Sequence, residues 1–293
     1  MKTETKRRLR GKTIPLIAMI SPVTAWMLLL IAIPLVYILA VSFCATDAAH
    51  NLVFSFTLEN YIQMADPSLL SIYLNSLAVA FLSTLLCILI GYPFAYIMAF
   101  QKPLPKTLMT VFLLLPFWTN SVIRLYSWRT LLGKNGYINF ILQNLGLISE
   151  PLSMLFTRGA VVLGMVYTLM PFMVLPIHTV IDKLDRSFLE AAGDLGAKPA
   201  RRFLHVTLPL TMPGIFAGSI MVFIPALAYF FVSDILGGGK SQLIGNVIER
   251  QFKEAFNWPL GAALSIILIL ITLLMVRIYT RMGGSVEDLG ASR

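Results

Sequence analysis

Apolar runs broken by short charged or proline- and glycine-rich segments set the rhythm of this chain. From Thr13 to Thr46 there is no charged side chain. That is far longer than the roughly 7–15-residue apolar core of a signal peptide, so an uncleaved span is expected over 14–43. Further runs predict spans over 74–100, 107–123, 159–181, 211–232 and 260–276. Crossing the hydrocarbon takes about 20 residues at about 1.5 Å each. The third run, bounded by Lys106 and Arg124, barely reaches. Prolines fall inside several runs: Pro34, Pro93, Pro116, Pro171, Pro176 and Pro225. They fit helices that line a cavity, and they fit ordinary kinks. Gly214 and Gly218 form a GxxxG spacing, which is either a close helix–helix approach or chance in a glycine-rich run.

Composition agrees with the pattern. Of 293 residues 57% are hydrophobic and 13% charged, and the mean hydropathy is +0.80. A soluble domain carries about 25% charge. The expected fold class is an all-α membrane protein with six transmembrane helices and lipid as its main surroundings. The net charge of +9 does not indicate nucleic acid, because the basic residues gather at the ends of apolar runs. Sixteen of the 23 Lys and Arg residues fall on one side of the alternating topology. By the positive-inside rule both termini are then cytoplasmic. The domain plan is a cytoplasmic basic arm (1–13), a six-span domain (14–276) with a cytoplasmic loop (182–209), and a cytoplasmic tail (277–293). The outer segment 124–158, with Gly133, Gly136 and Gly146 marking turns, is expected to hold short interfacial helices. Cys44 and Cys87 lie in separate runs without metal-ligand spacing and read as inert thiols.

The loop 182–209 is the longest polar interruption on the inner side. Ser187 and Glu190 have capping-box spacing. Phe188, Ala192 and Leu195 share one helical face, and Glu190 and Asp194 lie within i,i+4 reach of Arg186 and Lys198. Gly196 suits a positive φ after a helix end. Pro199 suits the first turn of a second short helix, and Pro209 is expected to stop or kink it. A solvated connector and a docking knob for a soluble partner both fit these features.

Chemistry is sparse. The span interiors carry no Asp, Glu, Lys or Arg, which disfavours an ion-coupled carrier. The stretch Gly237 to Ser241 is not a phosphate-binding loop, since Asp234 stands where that pattern needs Gly. No catalytic or metal-binding signature appears, so neither catalytic nor metal residues are assigned. Asp234 follows the aromatic run Tyr229, Phe230, Phe231. A carboxylate beside aromatic faces suits an organic ammonium, and Trp118 and Tyr167 could complete the cage. The same residues also fit an interfacial aromatic belt with a solvated acid.

Glu190-Ala191-Ala192, three residues, Gly196, nine residues and Val206-Thr207-Leu208-Pro209 resemble the EAA loop of ABC-transporter permeases, with Val206 where that family usually has Ile. Further stretches are similar to PotB-type permease subunits of spermidine/putrescine ABC importers: Leu115 to Ser121, Pro171 to Pro176, Val232 to Gly238 and Ile244 to Ile248. The likeness runs from about the second span to Pro259. It implies a type I importer fold in a bacterial inner membrane. It also implies a second permease subunit, two copies of a cytoplasmic ATPase, and a periplasmic polyamine-binding protein. ATP and Mg would sit on the ATPase, with no cofactor in this chain. It gives Glu190, Ala191, Ala192, Asp194 and Gly196 the coupling role, and leaves spermidine and putrescine undistinguished. An ion-coupled carrier of organic cations and an ABC permease for another small solute remain as alternatives.

Overall fold

A computed structural model describes residues 2–47, 51–239 and 241–281, with side chains from Met19 onward. The basic arm's side chains and the tail beyond Arg281 lie outside the described residues.

Helix α1 (Lys2–Ser42) leads into a two-residue-per-strand antiparallel hairpin, β1 (Ala45–Thr46) with β2 (Leu52–Val53), and then α2 (Glu59–Gln63). The buried Asn60 amide donates to the carbonyls of Ser42 and Cys44 at 3.0 and 2.8 Å, satisfying the end of α1. Helix α3 (Pro67–Ala99) begins well before the expected position 74. The Asp66 carboxylate accepts the Ser68 amide at 2.8 Å and Pro67 opens the first turn, so the N-terminus is set locally.

The third apolar run departs from the expected span 107–123. It forms α4 (Pro103–Leu114) and a 3₁₀ turn (Leu115–Trp118), then bends by 94° into α5 (Ser121–Leu132) and α6 (Tyr137–Asn144). Two extended residues, Thr119 and Asn120, separate the halves, and the Asn120 side chain caps α5 by accepting the Val122 amide at 2.8 Å. The segment 124–158 contains most of α5 and all of α6, two short helices. Asn139 ties their loop by donating to the carbonyls of Gly133, Lys134 and Leu152 and accepting from the Leu152 amide.

Next come α7 (Arg158–Asp182), α8 (Ser187–Asp194) and α9 (Pro199–Arg202). A π turn (Phe203–Thr207) then leads into α10 (Leu208–Ala228). Pro209 therefore neither stops nor sharply kinks the path. The wider π turn just ahead of it absorbs the ring and the missing amide, and one apolar stretch continues over Pro199–Ala228. The chain closes with α11 (Phe230–Gly237), α12 (Ile244–Lys253) and α13 (Trp258–Arg281). Five described helices are long and apolar enough to cross a membrane, and the bent pair makes a sixth if it is one span.

The core is the α3–α7–α10 triangle, filled by Ala80, Cys87, Met98, Met165, Leu169, Met173, Ile177 and Val222. The GxxxG spacing is used there. A Cβ on Gly214 would lie 3.0 Å from the Pro176 carbonyl, and one on Gly218 would lie 3.1 Å from the Met173 carbonyl. The two backbones touch, which only glycine permits. Tyr92 on α3 and Thr211 on α10 share a hydrogen bond at 2.9 Å in the same layer. By contrast α1 keeps Trp26, Leu28, Ile31 and Val36 exposed and packs mainly on α13.

Candidate functional site

The loop between α7 and α10 folds as two short helices joined by a tight turn. Helix α8 ends in a Schellman motif: the Ala197 amide donates to the Ala192 carbonyl at 3.0 Å and the Gly196 amide to the Gly193 carbonyl at 2.8 Å. Gly196 has φ +78°, with open space where a Cβ would stand. The start of α8 differs from the capping-box expectation. Ser187 is inside the helix rather than its cap, and Asp185 takes the role by accepting the Ser187 amide at 2.9 Å. The bonds from the Ser187 amide and hydroxyl hold the Asp185 carboxyl below the ordinary carboxylate range. The ion pairs among the described residues are Lys106–Asp182 and Lys253–Glu249. Glu190 and Asp194 thus make no pair with Arg186 or Lys198, and both stay exposed.

Contacts at Asp182, Arg186 and Phe203 fasten this loop to the helical body. Lys106 on α4 pairs with Asp182 at the end of α7. The Arg186 guanidinium lies 5.3 Å from the Phe100 ring centre at the end of α3. Phe203, in the π turn, meets Tyr92 and Tyr96 of α3 edge-on at 5.7 and 5.9 Å. Within the loop, Arg202 Nε donates to the Ala197 carbonyl at 3.0 Å and the guanidinium packs beneath Gly193. Leu189 turns into a small cleft with Phe100, Ile181 and Leu184. Phe188 and Leu195 face away, Leu195 being 88% exposed, with Leu204 also exposed nearby. The result is a hydrogen-bonded turn with an apolar outer face, held to the core through aromatic and ionic contacts.

The second group of expected residues lies past the break between α10 and α11. Tyr229 (φ −74°, ψ 69°) interrupts the helix there. Its ring lies 5.0 Å from Phe231, which in turn meets Phe230 edge-on. The buried Asn246 at the start of α12 joins the two elements: its amide donates to the Phe230 carbonyl at 3.0 Å and to the Asp234 carboxylate at 2.7 Å, while its carbonyl accepts the Leu243 amide. Asp234 is exposed at the end of the span. Partial burial of its carboxyl, and then the like charge of Glu249, push its pKa above the ordinary value.

Trp118 and Tyr167 are placed elsewhere. Trp118, at the 94° bend, is 86% exposed. Tyr167 on α7 meets Trp128 of α5 edge-on at 5.5 Å, and the Arg124 guanidinium lies 5.8 Å from its centre. Among the described residues no hydrogen bond or ring contact joins either of them to Asp234. The structure thus makes two neighbouring groups, an acidic one on α11–α12 and an aromatic one on α5–α7. They are bridged where Val232 and Leu236 of α11 pack beside Gly164 and Leu125.

Three residues that position these groups escaped the sequence reading. Arg124 bounds the third apolar run, and a lone Arg after such a run is itself a signal. Asn246 lies in the stretch Ile244 to Ile248, where nothing in the sequence marks it as a junction residue. Phe203 gave no sign, because its partners are over a hundred positions away.

Residues 91–287 match the family described as the binding-protein-dependent transport system inner membrane component. The chain belongs to this family. It is accordingly a multi-pass inner-membrane transport component rather than an enzyme. The family assignment agrees with relatives spanning nearly the whole permease. The spermidine/putrescine transport system permease protein PotB of Escherichia coli (strain K12) is 44% identical over 263 residues, covering 90% of this chain and 96% of that protein. The protein of the same name from Haemophilus influenzae is 43% identical over 262 residues, covering 89% and 92%. Among solved structures, the bacterial alginate ABC transporter in complex with alginate pentasaccharide-bound periplasmic protein contains a chain with TM-score 0.75 at 17% identity, covering 93% of this chain and 94% of that one. At that identity the likeness concerns the fold alone, which is the ABC-importer permease fold.

Proposed function

We propose that this chain is the transmembrane permease subunit of an ATP-driven importer of polyamines of the spermidine/putrescine class. The observation that carries the substrate class is the 44% identity over 90% of the chain to a spermidine/putrescine permease. Both termini lie in the cytoplasm, the side favoured by the Lys and Arg bias. A second permease subunit completes the path, a periplasmic polyamine-binding protein delivers cargo, and two copies of an ATPase, holding ATP and Mg, drive the cycle.

The exposed apolar face of α8, with Phe188, Leu195 and the flanking Glu190, Ala191, Ala192 and Asp194, seats in the ATPase. When the ATPases close, the seated lever moves as one body because Gly196 ends it in a closed hydrogen-bonded turn. Phe203 carries that motion to Tyr92 and Tyr96 on α3, and the Lys106–Asp182 pair carries it to α4 and α7. Substrate ammonium groups meet Asp234 beside Tyr229 and Phe230, then the aromatic surfaces of Tyr167 and Trp118. Each cation–π contact contributes about 0.5–2 kcal/mol, enough to guide a polyamine without trapping it.

The test is uptake of radiolabelled spermidine and putrescine by cells lacking the chain and by cells with it restored. Cysteines at Ala191 or Ala192 are crosslinked in the same cells. Restored uptake and capture of a nucleotide-hydrolysing protein are expected. Uptake that follows an ion gradient in vesicles holding this chain alone would refute the reading.

A further inference from the structure

Arg124 has surroundings that structural needs alone do not explain. It stands in the first turn of α5, at the positive end of the helix, with no acidic residue in that turn. Neither ion pair among the described residues includes it. Its Nε and Nη1 are buried without a hydrogen-bond partner. What the guanidinium does have is aromatic rings: it lies 4.8 Å from the centre of Phe117 and 5.8 Å from that of Tyr167. Those rings are braced edge-on by Phe172 and Trp128, at 5.8 and 5.5 Å. Two cationic donors held out of water without a partner are costly, and the aromatic faces supply compensation.

We propose that Arg124 is a resident cation that occupies the aromatic site on Phe117 and Tyr167 until a substrate ammonium group displaces it. This deepens the reading of Tyr167 as a wall of the polyamine path, and it rests on that reading. The chemistry of resident and visitor is the same, a delocalised or alkyl cation over ring faces. Two like charges cannot share those faces at low dielectric, so occupation is exclusive. On leaving, the guanidinium regains hydrogen bonds for the two idle donors, which offsets the loss of its ring contacts. The bend at Thr119–Asn120, immediately ahead of the turn that carries Arg124, is where α5 can swing it out. The arrangement is a valve that opens to organic cations and stays closed when none is delivered.

The experiment uses the whole transporter, this chain with its companion subunits, in lipid nanodiscs without nucleotide or binding protein. Equilibrium binding of radiolabelled spermidine is measured for the natural chain, Arg124→Gln and Arg124→Lys. Removing the resident cation should tighten binding about tenfold in Arg124→Gln. Arg124→Lys should fall between, because an ammonium is more strongly hydrated and holds ring faces less firmly. Adding Phe117→Leu to Arg124→Gln should abolish the gain, which a merely structural role would not do. Unchanged or weaker binding in Arg124→Gln overturns the proposal. If that variant fails to assemble, binding by Arg124→Lys equal to that of the natural chain overturns it as well. Uptake by the natural complex is scored in parallel. Uptake present without a gain in the variants defeats this inference alone, whereas no spermidine uptake at all defeats the functional reading beneath it.

Discussion

Replacing Gly196 isolates the lever from every other property of the loop. The residue has φ +78°, and nothing lies within 4 Å of where a Cβ would stand, so a substitution meets no steric clash. The whole effect is conformational. Holding an L-residue in the left-handed region costs about 1–2 kcal/mol, with a β-branched side chain at the upper end. Leaving that region breaks the bonds from the Gly196 and Ala197 amides that close α8. A cost of that size shifts the turn population by roughly 5–30-fold. Asn tolerates the left-handed region best, Ala less and Val least, so coupling should fall in that order. The assay is polyamine transported per ATP hydrolysed in proteoliposomes holding the full complex, with recovery of the complex as the control for folding. Gly196→Val should lose most of its transport per ATP while assembling normally, and Gly196→Asn should stay close to the natural ratio. Natural coupling in Gly196→Val, or equal damage from Asn and Val, would refute the rigid-turn reasoning.

In Asp234→Asn the side-chain oxygen still accepts the Asn246 amide, so the α11–α12 junction holds while the charge is lost. Spermidine uptake at low concentration should drop about tenfold, equivalent to about 1.4 kcal/mol, and unaltered kinetics would assign Asp234 to the aromatic belt instead. Gly218→Val forces a Cβ to within 3.1 Å of the Met173 carbonyl, a backbone atom that cannot step aside. Overpacking of this kind costs about 1–3 kcal/mol, read as a lower Tm of the complex in detergent, and an unchanged Tm would mean the helices separate freely. The Asp185 cap should respond to acid. Its carboxyl is held below the ordinary value of 3.8, so its contribution is complete above that value and vanishes as the pH falls through the lower folded one. Amide exchange over residues 187–190 should show this step in the natural chain and not in Asp185→Asn; a step in both would place the titration elsewhere.

Features governed by near neighbours along the chain were legible without the fold. Hydrophobic run length marks helices that must lie in lipid, because each helix satisfies its own backbone there. Gly196 was legible because a left-handed helix end calls for a residue without a Cβ whatever surrounds it. Pro199 at a first turn is a property of the same kind. The capping of α8 was less secure, since Asp185 and Ser187 both have suitable side chains and only the folded register selects Asp185. The tertiary structure alone decided the rest. GxxxG at Gly214 and Gly218 acquires meaning only when Met173 and Pro176, some forty residues earlier, press against it. Asp234 is tied to Asn246, whereas Trp118 and Tyr167, expected to complete a cage with it, share no hydrogen bond or ring contact with it among the described residues. Arg124, a mere boundary in the sequence, ends between rings from two different segments. Local chemistry sets which conformations a segment can adopt, but which side chains from distant segments share a space depends on how the helices pack, and no short window of sequence carries that information.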